Sequence, residues 1–575
     1  MTLFVRLSLV VASAFALTSC QTVPEEPPTA YGAFLVAQYA QANRDVRGAA
    51  DHYAQALDLA PGSPVLAERA FTSAIVAGEL RDAGALADAA ILAGDESRFA
   101  SIYRASDLIA ERRYQQALDV LENAPDMGIY SDFTAELHGF AVEALTHWAL
   151  VGMGRGDEAR NAARLIDVPG YFAPFTAAHR AMIADAMGDR ETADRNYLSA
   201  VYSSPFQRMM TALYGGFLER GGQREEAEAL YATYLRNTPG DEVIEEAYQR
   251  VLSGGRAPQR PDISEAAGLS LFGPSASLAA QADLVLTVLY LRMVERLYPD
   301  YAPNRILLGE SLQRIYLPYV AIEQYEAVAP GPYWDAAQID LIWLTGRLDR
   351  IEEATAQAEA LVAGGADEQA KLILADLYRV QDRCGDAIPL YTDVIEERRE
   401  AGAGLDWRYP YFRASCHYVV GDLAAAERDY QRALELGPNE AQVLNDLGYL
   451  WLETGVRLEE AFSMVERAAD LEPQEGHIVD SLGWAYYLLG DYESAVMELE
   501  RAVLLAPGNP TINFHLGDAY WQVGRRLESR FQWERALTLD PDDSERAALE
   551  ERLAHGLITE EDTGRADNEA GSSLP

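Results

Sequence analysis

The sequence predicts an all-α protein, an α-solenoid of helix–turn–helix repeats arranged in two arrays. The first observation is a fixed period in the C-terminal third, where Pro438, Pro473, Pro507 and Pro541 are 35, 34 and 34 residues apart. A constant period of this length is typical of stacked pairs of helices. The second observation is that apolar residues within each period follow the repeat of a helix and not the alternation of a strand.

Each period contains two short amphipathic helices. In the first helix of one period, Val443, Leu444, Leu447 and Leu450 lie on one face, as expected for a helix that packs on one side. The closing proline ends the period, because it lacks an N–H group and its ring clashes with the preceding turn.

Small residues recur at the expected contacts between helices. Gly448, Gly483 and Gly517 are 35 and 34 residues apart, and Gly188 and Gly222 are also 34 apart. Small side chains let neighbouring helices approach closely, so a larger one would overpack the contact at about 1–3 kcal/mol. The repeat is therefore expected on both sides of the middle of the chain.

Composition excludes several classes of protein. The 575 residues include 90 Asp and Glu against 47 Lys and Arg, which gives a formal net charge of −43. This acidity argues against nucleic acid as a partner, because such binding depends on cations that neutralise phosphates. Hydrophobic residues make up 49%, too many for a disordered chain, and three cysteines are too few for a disulfide scaffold.

The N-terminus predicts export and lipid attachment. Residues 1–19 contain one charge and an apolar run from Leu7 to Leu17, too short to span a bilayer, as in a signal peptide. The string LTSC that ends at Cys20 resembles a bacterial lipobox, which implies that Cys20 is the lipidated first residue of the mature chain. The alternative is an ordinary signal peptide with an incidental cysteine.

The residues after Cys20 predict a destination and a tether. Gln21 stands where an Asp would retain a lipoprotein, so resemblance to sorted lipoproteins favours the outer membrane, with the protein on its periplasmic face. Residues 20–30 are rich in Pro and Glu and predict an extended tether. No later apolar run is long enough to predict another membrane-spanning segment.

Punctuation by Gly and Pro suggests the domain boundaries. Residues 31–252 are expected to form an N-terminal array and residues 278–557 a C-terminal array. Residues 253–277 contain helix-breaking Gly and Pro and predict a linker between them. Residues 558–575 are polar and acidic and predict a disordered tail.

The repeat resembles the tetratricopeptide repeat in residue types as well as in period. Three strings, VLNDLGY from Val443, HIVDSLGWAYYLLGDYESAV from His477 and PTINFHLGDAYW from Pro510, resemble a family of tetratricopeptide outer-membrane lipoproteins. The best understood members of that family are adaptors, which tether a periplasmic carboxy-terminal-processing protease and deliver clients to it. The motif match covers residues 434–541.

The resemblance also implies a peptide-binding groove, because the first helix of each tetratricopeptide pair lines the concave surface. The matching positions hold aromatic residues between amides and carboxylates, a combination suited to an extended peptide: Asn445, Tyr449, Asp480, Trp484, Tyr487, Phe514, Asp518 and Trp521. The alternative is that Trp484, Tyr487 and Trp521 pack between helices. Neutral or acidic groove positions favour basic or neutral ligands.

Two cysteines, Cys384 and Cys416, are 32 residues apart, near equivalent points of successive repeats. In the oxidising periplasm a disulfide between adjacent first helices is one alternative. Their repeat offsets differ by about one helical turn, which argues for the other alternative, two buried thiols.

Catalytic signals are weak. None of the eight His belongs to an HExxH motif or a Cys/His cluster, so no metal, cofactor or catalytic residue is predicted. His515 and Asp518 could imitate an acid–base pair, but no nucleophile accompanies them. The expected function is a non-catalytic scaffold for protein partners, either a protease adaptor or a scaffold for envelope biogenesis.

Overall fold

The computed structural model describes residues 29–94, 98–124, 133–165, 173–280, 283–365 and 368–557. Cys20, the residues before it, most of the tether and the tail at 558–575 lie outside this described part, so the lipid attachment site stays a prediction. No helix among the described residues is long and apolar enough to cross a bilayer.

Every regular element in the described part of the chain is a helix, which confirms the predicted all-α class. The thirty helices are α1 (Ala30–Ala42), α2 (Val46–Leu59), α3 (Pro64–Ala77), α4 (Leu80–Leu92), α5 (Arg98–Ala110), α6 (Tyr114–Glu122), α7 (Phe133–Gly152), α8 (Gly156–Leu165), α9 (Ala173–Ala186), α10 (Arg190–Ser203), α11 (Gln207–Arg220), α12 (Arg224–Asn237), α13 (Glu242–Leu252), α14 (Ile263–Ala279), α15 (Leu284–Leu297), α16 (Ala302–Arg314), α17 (Pro318–Glu326), α18 (Trp334–Arg347), α19 (Ile351–Ala363), α20 (Glu368–Val380), α21 (Cys384–Glu400), α22 (Arg408–Val419), α23 (Leu423–Leu436), α24 (Ala441–Thr454), α25 (Leu458–Leu471), α26 (Gly476–Leu488), α27 (Tyr492–Leu505), α28 (Pro510–Gln522), α29 (Arg526–Thr538) and α30 (Asp543–His555).

The turn inside a pair is encoded by a Gly-Asp step. Gly490 ends the turn after α26 with φ of 84°, a left-handed conformation that glycine adopts without a steric penalty. Asp491 then caps α27, because its side chain accepts a hydrogen bond from the backbone N–H of Ser494 at 3.2 Å. Asp422 caps α23 in the same way after Gly421.

The chain divides into two compact units, an N-terminal unit (Met1–Leu348) and a C-terminal unit (Asp349–Pro575). Within each unit, successive helices pack against one another as pairs, so the predicted α-solenoid of helix–turn–helix repeats is confirmed. The boundary lies about 70 residues after the predicted linker.

The structure corrects the predicted linker at 253–277, because α14 occupies residues 263–279 and is buried on all sides. Asp262 and Glu265 form a capping box that starts this helix. Its glycines allow close packing: a Cβ atom added to Gly273 would lie 2.6 Å from the Phe175 ring. The next helix, α15, begins at Leu284.

Helices α14 and α15 cover the first-helix face of the N-terminal unit from α3 to α9. Helix α14 packs on α5, α7 and α9, and α15 packs on α3 and α5, each of which is the first helix of its pair. A helix that is apolar around its whole circumference is stable only when it is enclosed in this way. The face that would bind a ligand in this unit is therefore filled by the chain itself.

Replacing Gly448 by valine is expected to destabilise the contact between α24 and α25 by about 1–3 kcal/mol. A Cβ atom at Gly448 would lie 2.7 Å from Val465 Cγ2 and 3.0 Å from the carbonyl oxygen of Ala461, and the backbone oxygen has no room to move. Hydrogen exchange measured by mass spectrometry should accelerate in α24 and α25. Gly385→Ala, where the added Cβ meets nothing within 4 Å, is the matched control and should leave exchange in its own helix unchanged or slower.

Cys384 and Cys416 are buried free thiols whose sulfur atoms lie 2.6 Å apart. Cys384 begins α21, the second helix of its pair, and Cys416 lies on α22, so the predicted location on two first helices is wrong. Because Cys384 lies on a second helix and Cys416 on a first helix, the difference between their repeat positions does not separate them. The distance between the two sulfur atoms therefore does not prevent a bond.

We expect mild oxidation of the folded chain to join Cys384 and Cys416 in an intramolecular disulfide. Because the two sulfur atoms are already adjacent, the bond needs little movement and should slow hydrogen exchange in α21 and α22. Non-reducing peptide mapping identifies the linked pair. The folded chain is treated with oxidant, denatured and then alkylated. If both thiols can still be alkylated, this expectation is contradicted.

Candidate binding cleft

A cleft of about 330 Å³ lies on the first-helix face of the C-terminal unit. Four successive first helices, α22, α24, α26 and α28, supply most of its walls. The lining residues are Ser415, Tyr418, Tyr430, Asn445, Asp446, Tyr449, His477, Asp480, Ser481, Asn509, Thr511 and Ile512.

The floor of the cleft carries two adjacent acceptor groups on α24. Asp446 accepts hydrogen bonds from the Tyr411 hydroxyl at 2.8 Å and from the Asn445 amide at 3.0 Å. Burial raises the pKa of Asp446 above its ordinary value, and these neutral donors only partly offset that effect. Asn445 is 5% exposed, and its Oδ1 atom has no hydrogen-bond partner among the described residues.

Tyrosine rings form the sides of the cleft. The Tyr418 hydroxyl donates a hydrogen bond to Glu453. Burial raises the pKa of Tyr418, Tyr430 and Tyr449. The hydroxyls therefore stay protonated at neutral pH. The rings supply apolar area and π faces, while their hydroxyls can act as hydrogen-bond donors.

Next to the cleft, Asp480 and His515 form a buried pair. His515 Nδ1 lies 2.9 Å from Asp480 Oδ2. Burial alone would lower the pKa of His515, but the charges of Asp480, Asp518 and Glu545 together raise it. The sequence suggested a pair of His515 with Asp518, but in the structure His515 pairs with Asp480. This pairing provides a hydrogen-bond partner for a buried carboxylate.

Trp484 and Tyr487 extend this cluster along α26. The Trp484 ring stacks on His515 with ring centroids 4.0 Å apart and on Tyr487 with centroids 4.5 Å apart. Both side chains are half-buried. The sequence left two alternatives for these aromatic residues, groove lining and packing between helices. Each side chain does part of both, because it packs in the stack and keeps an exposed part beside the cleft.

The last helix, α30, covers the remaining predicted groove positions. Arg552 lies over the Phe514 ring at 4.5 Å and binds the Asp518 carboxylate through Nε at 2.8 Å. Trp521 donates its indole N–H to the Leu557 carbonyl at 3.1 Å and packs on Trp533. Phe514, Asp518 and Trp521 therefore have internal partners, and their predicted role as ligand contacts is revised: they hold the terminal helix.

Three predicted groove residues, Asn445, Tyr449 and Asp480, line the cleft, and two more, Trp484 and Tyr487, adjoin it. The sequence prediction missed Asp446, Tyr418 and Tyr430. Asp446 directly follows Asn445, but it is not at a position that the repeat resemblance assigns to the groove. Tyr418 and Tyr430 lie in the preceding repeat, before the string that carried the resemblance.

No group of three or more His, Cys, Asp or Glu side chains within the described ranges is arranged to hold a metal ion. The polar groups of the cleft are instead placed to accept and donate hydrogen bonds, and its rings to cover an apolar or cationic segment.

Family comparison identifies tetratricopeptide repeats in this part of the chain. The family described as "Tetratricopeptide repeat" matches residues 411–475 and 510–543, and the one described as "TPR repeat" matches residues 483–524. Nine of the twelve cleft-lining residues lie within the matched ranges, which confirms the predicted repeat type over those ranges. Repeats of this kind indicate a scaffold for protein–protein interaction.

Comparison with individual proteins gives partial matches. The curated TPR repeat-containing protein PA4667 of Pseudomonas aeruginosa is 28% identical over 178 residues, which are 30% of this chain and 29% of that protein, so the match spans less than a third of the relative's length. Among solved structures, the APC/C hetero-tetramer Cut9-Hcn1 is 16% identical, with 91% and 95% coverage of this chain and that one and a TM-score of 0.37. A tetratricopeptide repeat protein from Parabacteroides merdae is 15% identical, with 44% and 97% coverage and a TM-score of 0.36.

Proposed function

We propose that this chain is a lipid-anchored, non-catalytic adaptor on the periplasmic face of the outer membrane. Its C-terminal unit binds polypeptide in the cleft between α22 and α28 and brings clients to a periplasmic processing protease. The alternative is a scaffold for envelope biogenesis, which would use the same cleft to hold an assembly, secretion or cell-wall synthesis component.

The observation that carries the proposal is the contrast between the two units. In the N-terminal unit, α14 and α15 fill the first-helix face from α3 to α9. In the C-terminal unit, the first helices instead line a cleft with tyrosine walls and one unsatisfied acceptor atom, Asn445 Oδ1. A surface of this chemistry suits an extended polypeptide, because rings provide contact area while polar groups fix its register.

Anchoring explains how an adaptor without chemistry of its own can accelerate a reaction. If one surface holds a protease and another holds its client, cleavage depends on the effective concentration of one near the other. A lipid anchor confines both partners to a thin layer at the membrane and raises that concentration further. Several acyl chains contribute about 0.8 kcal/mol for each buried methylene, enough for lasting attachment.

Cys20→Ala is expected to release the protein from the membrane fraction, because the acyl acceptor is lost and no described helix can replace the anchor. Fractionation of cells that produce the variant, with a blot of membrane and periplasmic fractions, measures this. Cys384→Ala is the matched control and should remain membrane-bound. A Cys20→Ala chain that stays with the membrane would overturn the lipoprotein assignment.

Crosslinking in living cells, followed by affinity purification and mass spectrometry, separates the two candidate functions. A stoichiometric periplasmic protease supports the adaptor, whereas an assembly or secretion component without a protease supports the alternative.

Tyr449→Ala combined with His477→Ala should remove the captured client, because both side chains line the cleft. Leu504→Ala on α27, at an 83% exposed side chain outside the cleft, should not. Equal capture by both variants would contradict a role for the cleft.

A further inference from the structure

Buried carboxylates in this protein follow a simple rule. Every fully buried Asp or Glu side chain within the described ranges has a cationic or histidine partner, which compensates its charge. The pairs are Asp107 with Arg104 and Arg296, Glu219 with Arg250, Asp241 with Arg208, Asp429 with Arg413, Asp480 with His515, and Asp518 with Arg552.

Asp446 in the cleft is compensated less completely than these residues. His477, which lines the same cleft, acts on it by charge but forms no ion pair with it among the described residues. The Asp446 carboxylate is half-buried and accepts hydrogen bonds from three neutral groups, the Tyr411 hydroxyl at 2.8 Å, the Asn445 amide at 3.0 Å and the Gln442 amide at 3.3 Å. No Lys or Arg of the described chain lies within ion-pair distance of it. The negative charge in the cleft is therefore hydrogen-bonded but not neutralised.

A second, independent observation comes from Asn445. Its side chain lines the same cleft and is 5% exposed, yet its Oδ1 atom has no donor within the part of the chain that the structure describes. A buried acceptor without a partner costs about 1–3 kcal/mol, which a ligand that supplies an N–H group would recover. A single cation with several N–H donors would therefore supply both the positive charge that Asp446 lacks and the hydrogen-bond donor that Asn445 Oδ1 lacks.

The walls of the cleft suit the same ligand. Tyr418, Tyr430 and Tyr449 line it, and aromatic faces attract cations that lie over them. A volume of about 330 Å³ accommodates one long side chain more readily than a folded element. Guanidinium fits best, because its planar fork of donors can reach two acceptors at once and stack on a ring.

We propose that this cleft binds an arginine or lysine side chain of the extended polypeptide that the C-terminal unit captures, with Asp446 and Asn445 as the acceptors. The inference rests on the proposed function, since it names the residue class by which that function selects its ligand. The α-amino group of a peptide offers the same chemistry as a lysine side chain, so the test separates the two sources.

Fluorescence anisotropy with the purified chain and labelled peptide pools tests the proposal. The pools are 12-residue peptides, acetylated and amidated, random in neutral residues except for a fixed central Arg, Lys, citrulline or Glu. Citrulline keeps the shape of Arg and removes its charge. A fifth pool has citrulline at the centre and a free N-terminus, which supplies the α-amino group alone.

The Arg pool is expected to bind about tenfold tighter than the citrulline pool, as befits a charge-assisted hydrogen bond in a partly buried site. Asp446→Asn, which keeps the shape of the side chain, should reduce that preference to about twofold or less. Asp470→Asn, at an exposed position on α25, is the matched control and should preserve it. Unfolding midpoints of both variants verify that they are folded.

Each outcome is decisive. Equal binding of the Arg and citrulline pools by the wild-type chain would overturn the cation assignment and leave polypeptide binding intact. Preference for the free N-terminus over central Arg would overturn the side-chain assignment. Retention of the preference in folded Asp446→Asn would remove Asp446 from the site. Failure of every pool to bind would contradict both the cation assignment and peptide capture by the cleft.

Discussion

Replacing Asp518 by alanine is expected to destabilise the C-terminal end of the chain by about 3–5 kcal/mol. The side chain is 1% exposed, and its Oδ1 atom accepts hydrogen bonds from Arg552 Nε at 2.8 Å and from Trp533 Nε1 at 2.9 Å. The variant would leave a buried indole N–H and a guanidinium without their acceptor. Hydrogen exchange in α28, α29 and α30 should accelerate strongly.

Asp540→Ala serves as the matched control for Asp518. Asp540 also pairs with an arginine, Arg546, at 3.0 Å, but its side chain is almost fully exposed, so its loss should change exchange little. The double variant of Asp518 and Arg552, both to alanine, should be less destabilised than the sum of the single variants. Wild-type exchange in Asp518→Ala would show that α30 is held by other contacts.

The N-terminal unit is expected to lose stability as the pH falls below about 6.5, because it contains two histidines that are buried without charge. His147 Nδ1 lies 3.1 Å from His179 Nε2, and His179 Nδ1 lies 3.0 Å from the Ser270 hydroxyl, which also accepts a hydrogen bond from Trp148. Both rings are satisfied when each carries its single proton on Nδ1. A second proton on His179 would face the N–H of His147.

The sign of the pH effect follows from the pKa shifts. Burial lowers the pKa of His147 to about 4, and burial with the charges of His147 and Arg180 lowers that of His179. The unfolded chain therefore binds more protons below pH 6.5, and stability falls until the folded pKa is reached. For His147 the loss between pH 6.5 and pH 4 is roughly 3 kcal/mol.

Hydrogen exchange in α7 and α9, corrected for the intrinsic pH dependence of exchange, measures this loss. His147→Gln, whose amide can still donate to His179, should be less sensitive to pH between 6.5 and 4.5 than the wild type. His52→Gln, at a half-buried histidine bonded only to Gln55, is the control and should titrate like the wild type. A pH profile unchanged by His147→Gln would contradict the assignment.

Period and residue type together predicted the helix pairs, because the same small residues recur wherever two helices come close. They failed at α14, because the presence of Gly and Pro in a sequence does not show whether these residues end a helix or lie inside a closely packed one. The capping box at Asp262 and Glu265 was a local signal for a helix start in that segment. Its burial depends on contacts with α5, α7 and α9, far away in sequence, which no local pattern encodes.

The candidate cleft was predictable where the repeat is regular. Asn445, Tyr449 and Asp480 sit at first-helix positions, and the structure places them in one cleft. Phe514 and Asp518 occupy equivalent positions, yet α30 covers them because the array ends there and needs a cap. Asp446 was missed because its significance depends on the absence of a cation nearby, and only three-dimensional contacts reveal that.

Site-specific photo-crosslinking in cells tests the central claim, that polypeptide binds the cleft of the C-terminal unit. A photoreactive phenylalanine derivative replaces Tyr449 in the cleft or, as a control, Phe531, a 61% exposed aromatic on the second helix α29. Polypeptide binding in the cleft should give discrete crosslinked polypeptides from position 449 and none from position 531. Equal crosslinking at both positions, or crosslinking only from position 531, would contradict it.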